Sequence, residues 1–413
     1  MSSPQRRARA LLCALFASSP TAADAQSVSD APPVDRDAGP TDAPPAGVGR
    51  GFAPGPPWAF RTAVVQAPRE RQLGPGPASI IAPDGSLLVF INGRRTELLR
   101  PGRRRRLLRT ERVYRADISP DSTRIVTGTE GGDINVFDVA TGARVANWTL
   151  PRVLRGGDVA FADNQTVMYH SGCLLRRMPA AGGATVVLGA PLCDEQTASA
   201  EGPYVGLPSG APYLIVGERD PASAWESAQL YRDIQVIEPR TGAVRMRLRS
   251  RPDLQVRDAR LTSAGDRLCF QSAERAVFCT RDGTPVQVAT GASQRFMYFN
   301  PQGTRLLFVT AGPQRESVVQ LADFETRTVR VVAVTPRESF GWSDDGQLLF
   351  GWSGPNPLGL DVWDFGALAH ATLYADVEVD YVRSFPGGPR NFMLARARGE
   401  SNVLSTATMP PFQ

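Results

Sequence analysis

The chain has 413 residues, 42% hydrophobic and 21% charged, which is enough apolar material for a large core and excludes a protein disordered throughout. Its formal charge of +5 moves toward balance once residues 1–25, which hold Arg6, Arg7, Arg9 and Asp24, are set aside, so it is not a polycation built to coat nucleic acid. With 39 glycines and 35 prolines, turns are favoured over long helices.

Residues 1–25 read as an export signal: a basic start (QRRAR) precedes the apolar stretch LLCALFA, and Ala23-Asp24-Ala25 ends on small residues. Cys13 opens the apolar stretch instead of closing it and follows bulky Leu12, which argues against lipid attachment. That stretch is too short to span a bilayer, and no later run approaches the roughly 18 apolar residues that a spanning helix needs. A protein working outside the cytoplasm is expected, whether periplasmic, at the cell surface or secreted. Residues 26–57 hold Pro, Ala, Gly and Asp with almost no large apolar side chain, and the expectation there is an extended, disordered linker.

From residue 58 onward one sentence repeats: an acidic or proline-containing turn, often ending in glycine, followed by an unbroken apolar run. It appears as APDGSLLVFI (82–91), SPDSTRIVTG (119–128), ADNQTVMYH (162–170) and LPSGAPYLIVG (207–217). It returns as TSAGDRLCFQ (262–271), NPQGTRLLFV (300–309), SDDGQLLFGW (343–352) and FPGGPRNFML (385–394). The anchors Pro83, Pro120, Asp163, Pro208, Ser263, Pro301, Asp344 and Pro386 lie 37 to 55 residues apart, the mark of a repeat architecture. A second turn follows in each unit, as in NVFDVATGARV (135–145) and QLADFETRTVRVV (320–332), so four short strands per unit are expected. Runs such as LLFV lack polar alternation, as strands covered on both faces do. Four-stranded antiparallel blades stacked around an axis supply that cover. The expected fold is therefore an all-β propeller over 58–413, with eight blades and seven as the alternative. Trp58–Gln66 is expected to complete the last blade by pairing with the C-terminal strand, which removes exposed edges at the seam.

The elements SPDS, NPQG and SDDG resemble the repeat of Tol-system (TolB-like) propellers, and NVFDVATG and LDVWDF resemble the third-strand ending of WD-repeat propellers. The resemblance covers 58–413. It lacks the Gly-His pair of the WD repeat and its buried His–Asp network, since His170 and His370 are the only histidines.

Four cysteines follow residue 25. Cys269 and Cys279 flank the hairpin LCFQSAERAVFC, and Cys173 and Cys193 flank a near-symmetric hairpin, so two disulfides within blades are expected, with four free buried thiols as the alternative. Without CxxC and with few histidines, no metal site and no cofactor are expected. Arg103, Arg104, Arg105 and Arg106 form a basic run on the outer strand of the first blade. Such a run either binds an anionic surface or discourages edge-to-edge pairing.

The longest step between anchors contains an insertion, GERDPASAWESAQLYRD (217–233), between the second and third strands of the fourth blade. Long loops on rigid scaffolds are where binding is commonly placed, and Trp225, Tyr231 and Arg219 are the candidate contact residues. A neutral insertion is the alternative. No phosphate-binding glycine loop and no GxSxG nucleophile elbow occurs. The reading that follows is a non-catalytic, monomeric scaffold binding a protein or cell-envelope ligand. An enzyme with a carboxylate or metal site at the channel mouth, and a structural part of an envelope assembly, are the alternatives.

Overall fold

The computed structural model describes residues 49–412 apart from short stretches, the longest of which are 150–158, 189–203, 207–212 and 220–229. No helix occurs among the described residues, and after the N-terminal strands the chain runs in successive antiparallel groups. These groups, the blades, cover 80–108, 113–149, 159–188, 204–249, 256–289, 292–335, 339–373 and 379–408. The fourth and fifth share one nine-stranded sheet because Tyr231 bridges to Val256.

The middle strands explain the unbroken apolar runs. In blade seven, Leu348–Trp352 and Leu360–Asp364 are buried at every position. The outer strand Val244–Arg249 of blade four instead alternates exposed with buried residues over most of its length. A sheet of this width shields neither face alone, so the core lies between blades. Between blades seven and eight, Phe350 packs on Phe392 with ring centroids 5.3 Å apart, and both are fully buried. Similar apolar clusters join each blade to the next. A further cluster returns from the last to the first, uniting Met393, Ala395 and Leu404 with Ile81, Leu88, Phe90 and Leu99.

The repeated turn has a defined job. The residue before the anchor is polar in several units and caps the amide five positions on: Ser119 Oγ accepts from Arg124 at 2.9 Å, Asn300 Oδ1 from Arg305 at 2.8 Å and Ser343 Oγ from Leu348 at 2.8 Å. The left-handed position of the turn is glycine at Gly85, Gly265, Gly303 and Gly346, and Ser122 occupies it in blade two with φ 60°. The turns also hold one another. The Ser122 hydroxyl donates to Asp84 Oδ1 at 2.9 Å, the Asp121 amide to Asn164 Oδ1 at 2.9 Å, and the Ser263 hydroxyl to the Pro301 carbonyl at 3.0 Å.

The N-terminal region differs from expectation. Of the segment 26–57, residues 26–48 lie outside the described residues, but the rest is a strap laid along the rim. Its strands β1 (Gly49–Arg50), β2 (Ala53–Pro54) and β3 (Arg61–Thr62) pair in parallel with the outer strands of blades five, six and seven. The strand that completes blade eight is β4 (Glu70–Pro75), antiparallel to Ser401–Thr408, in place of the expected Trp58–Gln66. Trp58 and Phe60 are held elsewhere: both pack on Phe365 of blade seven, with centroids 5.2 and 5.3 Å away. Close approach of the strap requires glycine at position 51, where a Cβ would lie 2.0 Å from Val286 Cγ1 and 2.9 Å from the Gln287 carbonyl oxygen.

Candidate ligand-binding face

The insertion of blade four leaves the second strand at Arg219 and rejoins at Tyr231, so residues 220–230 connect the second and third strands as expected. Trp225 lies outside the described residues. Arg219 sits on the last position of its strand, opposite Tyr231.

Tyr231 is not a surface contact, which corrects the expectation for it. It is 6% exposed and belongs to the apolar cluster between blades four and five. Its ring covers Gly217, where a Cβ would lie 2.7 Å from the Tyr231 Cδ1. The physical reason is the register shift at the start of the strand, between the pairs Glu218–Asp233 and Arg219–Tyr231, which brings Tyr231 into the same apolar cluster as Ile234 and Val236.

The base of the insertion is firmly built. Asp233, 3% exposed, accepts from Arg247 Nε at 2.7 Å and Nη2 at 2.6 Å, and from Gln235 Nε2 at 2.9 Å. This is the two-pronged arginine–carboxylate arrangement that fixes orientation as well as charge. The connection from blade four to blade five closes beside it: the Ser250 amide donates to the Arg232 carbonyl at 2.9 Å and Ser250 Oγ accepts from the Val256 amide at 3.0 Å. The hairpin of blade five joins through Ala273, whose amide donates to the Gln255 carbonyl at 2.8 Å. These hydrogen bonds bring the base of the insertion, the connection between blades four and five and the hairpin of blade five together.

A second group sits on the inner strands of blades five and six. Asp258 accepts from Arg260 Nη1 at 2.7 Å and from the Ala259 amide at 2.9 Å. Burial pushes the Asp258 carboxyl above its ordinary range, against the opposing pull of Arg260. Tyr298, 38% exposed, also has its hydroxyl pushed up, first by burial and then by the charge of Asp258. Nothing in the sequence marked this group, because its members come from two repeats and only the stacking brings them together.

The remaining candidates are placed as follows. Arg103, Arg104 and Arg105 lie outside the described residues. The Arg106 guanidinium is turned into blade two, where it donates to the carbonyl oxygens of Ala140 and Val139. Cys269 and Cys279 stand directly opposite each other on adjacent strands with their sulfurs at bonding distance. Cys173 and Cys193 lie outside the described residues. Among the described residues, no group of three or more His, Cys, Asp or Glu is placed to hold a metal ion. No helix among them is long and apolar enough to cross a membrane.

No family model matches the chain, and no curated protein matches it. Solved structures do. The C-terminal WD40 domain of Sif2 aligns with a TM-score of 0.56 at 13% identity, over 85% of this chain and 100% of that one. A structure described as the eukaryotic initiation factor aligns with a TM-score of 0.56 at 11% identity, over 86% and 90% respectively. The fold is a β-propeller. At such identities the likeness establishes the propeller and nothing of its ligands. The WD-like part of the sequence resemblance agrees with these neighbours. In blade seven, His370 Nε2 lies 3.5 Å from Asp361 Oδ1.

Proposed function

We propose that the propeller is a non-catalytic scaffold, working outside the cytoplasm, whose insertion-bearing face at blades four and five binds a protein or cell-envelope ligand. The observation that supports this reading is the base of the insertion, where buried Tyr231 and Asp233, the latter paired with the Arg247 guanidinium, stand beside two further connections. Function on such a surface needs loops held in place and no special chemistry. The extracytoplasmic setting rests on residues 1–25 and on the resemblance to TolB-like propellers. A disulfide between Cys269 and Cys279 fits an oxidising compartment.

The test is retention of envelope proteins on the immobilised full chain and on a chain lacking 220–229. The reading expects one partner retained by the first and lost by the second, with thermal unfolding unchanged. Equal retention by both removes the insertion from the account.

The Asp258 group favours a second reading, an enzyme using a carboxylic acid at the channel mouth. A carboxyl raised by burial beside an arginine and a tyrosine is an arrangement acid–base chemistry uses. Asp258→Asn separates the two: it leaves partner retention intact under the scaffold reading and abolishes turnover under the enzymatic one.

A further inference from the structure

The strap shows how this propeller accepts an extended segment, and the mode repeats. Between β1 and β2, Phe52 meets Phe324 of blade six edge-on at 5.4 Å. Between β2 and β3, Trp58 and Phe60 meet Phe365 of blade seven, and Arg330 and Arg305 lie over the Trp58 ring at 5.2 and 5.7 Å. At each place an aromatic side chain fills the rim between two blades, beside the second turn of the following blade.

The second turns can be aligned through their aspartates. Asp323 Oδ1 accepts the amides of Glu325 and Thr326, Asp364 Oδ1 those of Gly366 and Ala367, and Asp138 Oδ1 that of Thr141. The residue after the aspartate is Phe324 in blade six, Phe365 in blade seven and Val139 in blade two. Where the first two meet the strap with a ring, blade two has the smaller Val139, which is buried, and among the described residues no strand of the strap lies along blade two. A cavity of about 580 Å³ lies at the rim between blades one and two, lined by Arg106, Leu107, Phe137, Thr141, Gly142 and Arg144. Leu107 is 56% exposed at its mouth, and Val145 beside it is 40% exposed. The outer strand Arg144–Thr149 hydrogen-bonds to a neighbour on one side only among the described residues, whereas its counterparts in blades five, six and seven carry β1, β2 and β3 on the other.

We infer that this rim is a docking site for an extended segment of a partner protein, which adds a parallel strand to Arg144–Thr149 and places an aromatic side chain in the cavity. The chemistry of the occupant follows from the filled sites. Backbone pairing holds the segment, and a Trp or Phe ring lies against apolar side chains and guanidinium groups, as Trp58 lies under Arg330. Here Phe137 and Leu107 supply the apolar contact and Arg106 and Arg144 the guanidinium groups. The site is separate from the insertion of blade four, so it stands or falls without that reading.

The probe is a synthetic peptide of residues 49–63 (GRGFAPGPPWAFRTA), added to the full chain, whose own strap already fills blades five to seven. Saturable binding by fluorescence anisotropy is expected, weakened at least tenfold by Leu107→Glu in the protein or Trp58→Ala in the peptide. Arg144→Ala, a milder change on an exposed strand, is expected to weaken it severalfold. Val244→Glu on the rim of blade four, and deletion of 220–229, are expected to leave it unchanged. Absence of binding at millimolar peptide, or binding indifferent to both Leu107→Glu and Arg144→Ala, overturns the inference. Loss of amide protection at 328–335 on adding peptide, showing that the peptide replaces the resident strap, also overturns it.

Discussion

Glu70 and Arg396, 326 positions apart in the chain, meet at 2.5 Å between Glu70 Oε2 and Arg396 Nη2. Glu70 opens β4 and Arg396 lies on the second strand of blade eight, so this pair joins the chain's N-terminal region to its last repeat. The Tyr374 ring lies beneath the Arg396 guanidinium at 4.9 Å. Burial and then the Glu70 charge hold the Tyr374 hydroxyl far above its ordinary range.

Because both side chains of the pair are largely buried, at 14% and 25% exposure, removing one leaves a charge without its partner. Glu70→Ala or Arg396→Ala is expected to cost about 2–4 kcal/mol in denaturant unfolding. The double replacement by Gln and Met is expected to cost less than either. Equal or additive losses would show that the pair is not coupled.

The strap is expected to be a stabilising part of the fold. Trp58→Ala removes a ring that touches Phe60 and Phe365, and a loss of about 3 kcal/mol is expected. Gly51→Val places side-chain atoms where Val286 already lies, so faster hydrogen exchange at 286–289 is expected. Unchanged exchange there would mean that β1 does not pair with blade five.

Acid sensitivity is expected to centre on blade seven. Burial alone would raise the Asp361 carboxyl, but His370, Arg337 and Thr372 outweigh it and hold the carboxyl well below the usual range. Arg337 Nε donates to Asp361 Oδ2 at 2.8 Å and the Thr372 hydroxyl to Oδ1 at 2.6 Å. A carboxylate lowered by folding contributes stability that is full above its unfolded value of 3.8 and lost as pH falls below it. The turn aspartates Asp84, Asp121, Asp138, Asp163 and Asp323 are lowered too and act in the same direction. Tm is expected to fall steeply below about pH 4. Asp361→Asn is expected to cost about 3–5 kcal/mol near neutrality and to flatten that fall. A Tm equally steep in the variant would assign the acid response elsewhere.

Cys269 and Cys279 are expected to resist alkylation in the denatured, unreduced protein and to react after reduction, as intact mass reports. Cys269→Ala is expected to cost about 2–4 kcal/mol. Alkylation of Cys269 or Cys279 without reductant, located by peptide mapping, would contradict the cross-strand bond.

The repeat was legible because each turn carries its own local chemistry: a capping Ser, Thr or Asn, a left-handed glycine, then a run buried on both faces. Gly303 with Asn300 and Gly346 with Ser343 show it plainly. The strap was not legible, since β1 and β2 are two residues long and Gly49, Gly51, Pro54 and Gly55 carry no strand signal. Its pairing is by backbone, and its specificity lies in glycines that let the chain approach. β4, with the sequence ERQLGP, is read as a strand only once Ser401–Thr408 stands beside it. Tyr231 shows the opposite failure. An aromatic residue at the end of an insertion looks like a contact, yet a register shift beside it turns the ring into the cluster with Ile234 and Val236, and no local pattern encodes that shift. The Asp258 and Tyr298 group depends on which blades stack, and no single repeat encodes that.

The central claim is that the repeats stack as blades and that the N-terminal strand β4 seals the last blade against the C-terminal strand. Arg71 stands opposite Thr406 in that pairing. The measurement is cross-linking of a chain carrying Arg71→Cys and Thr406→Cys, read by intact mass after mild oxidation. The account predicts a complete intramolecular bond at low protein concentration. A chain that stays reduced, or that links only between molecules, would contradict it.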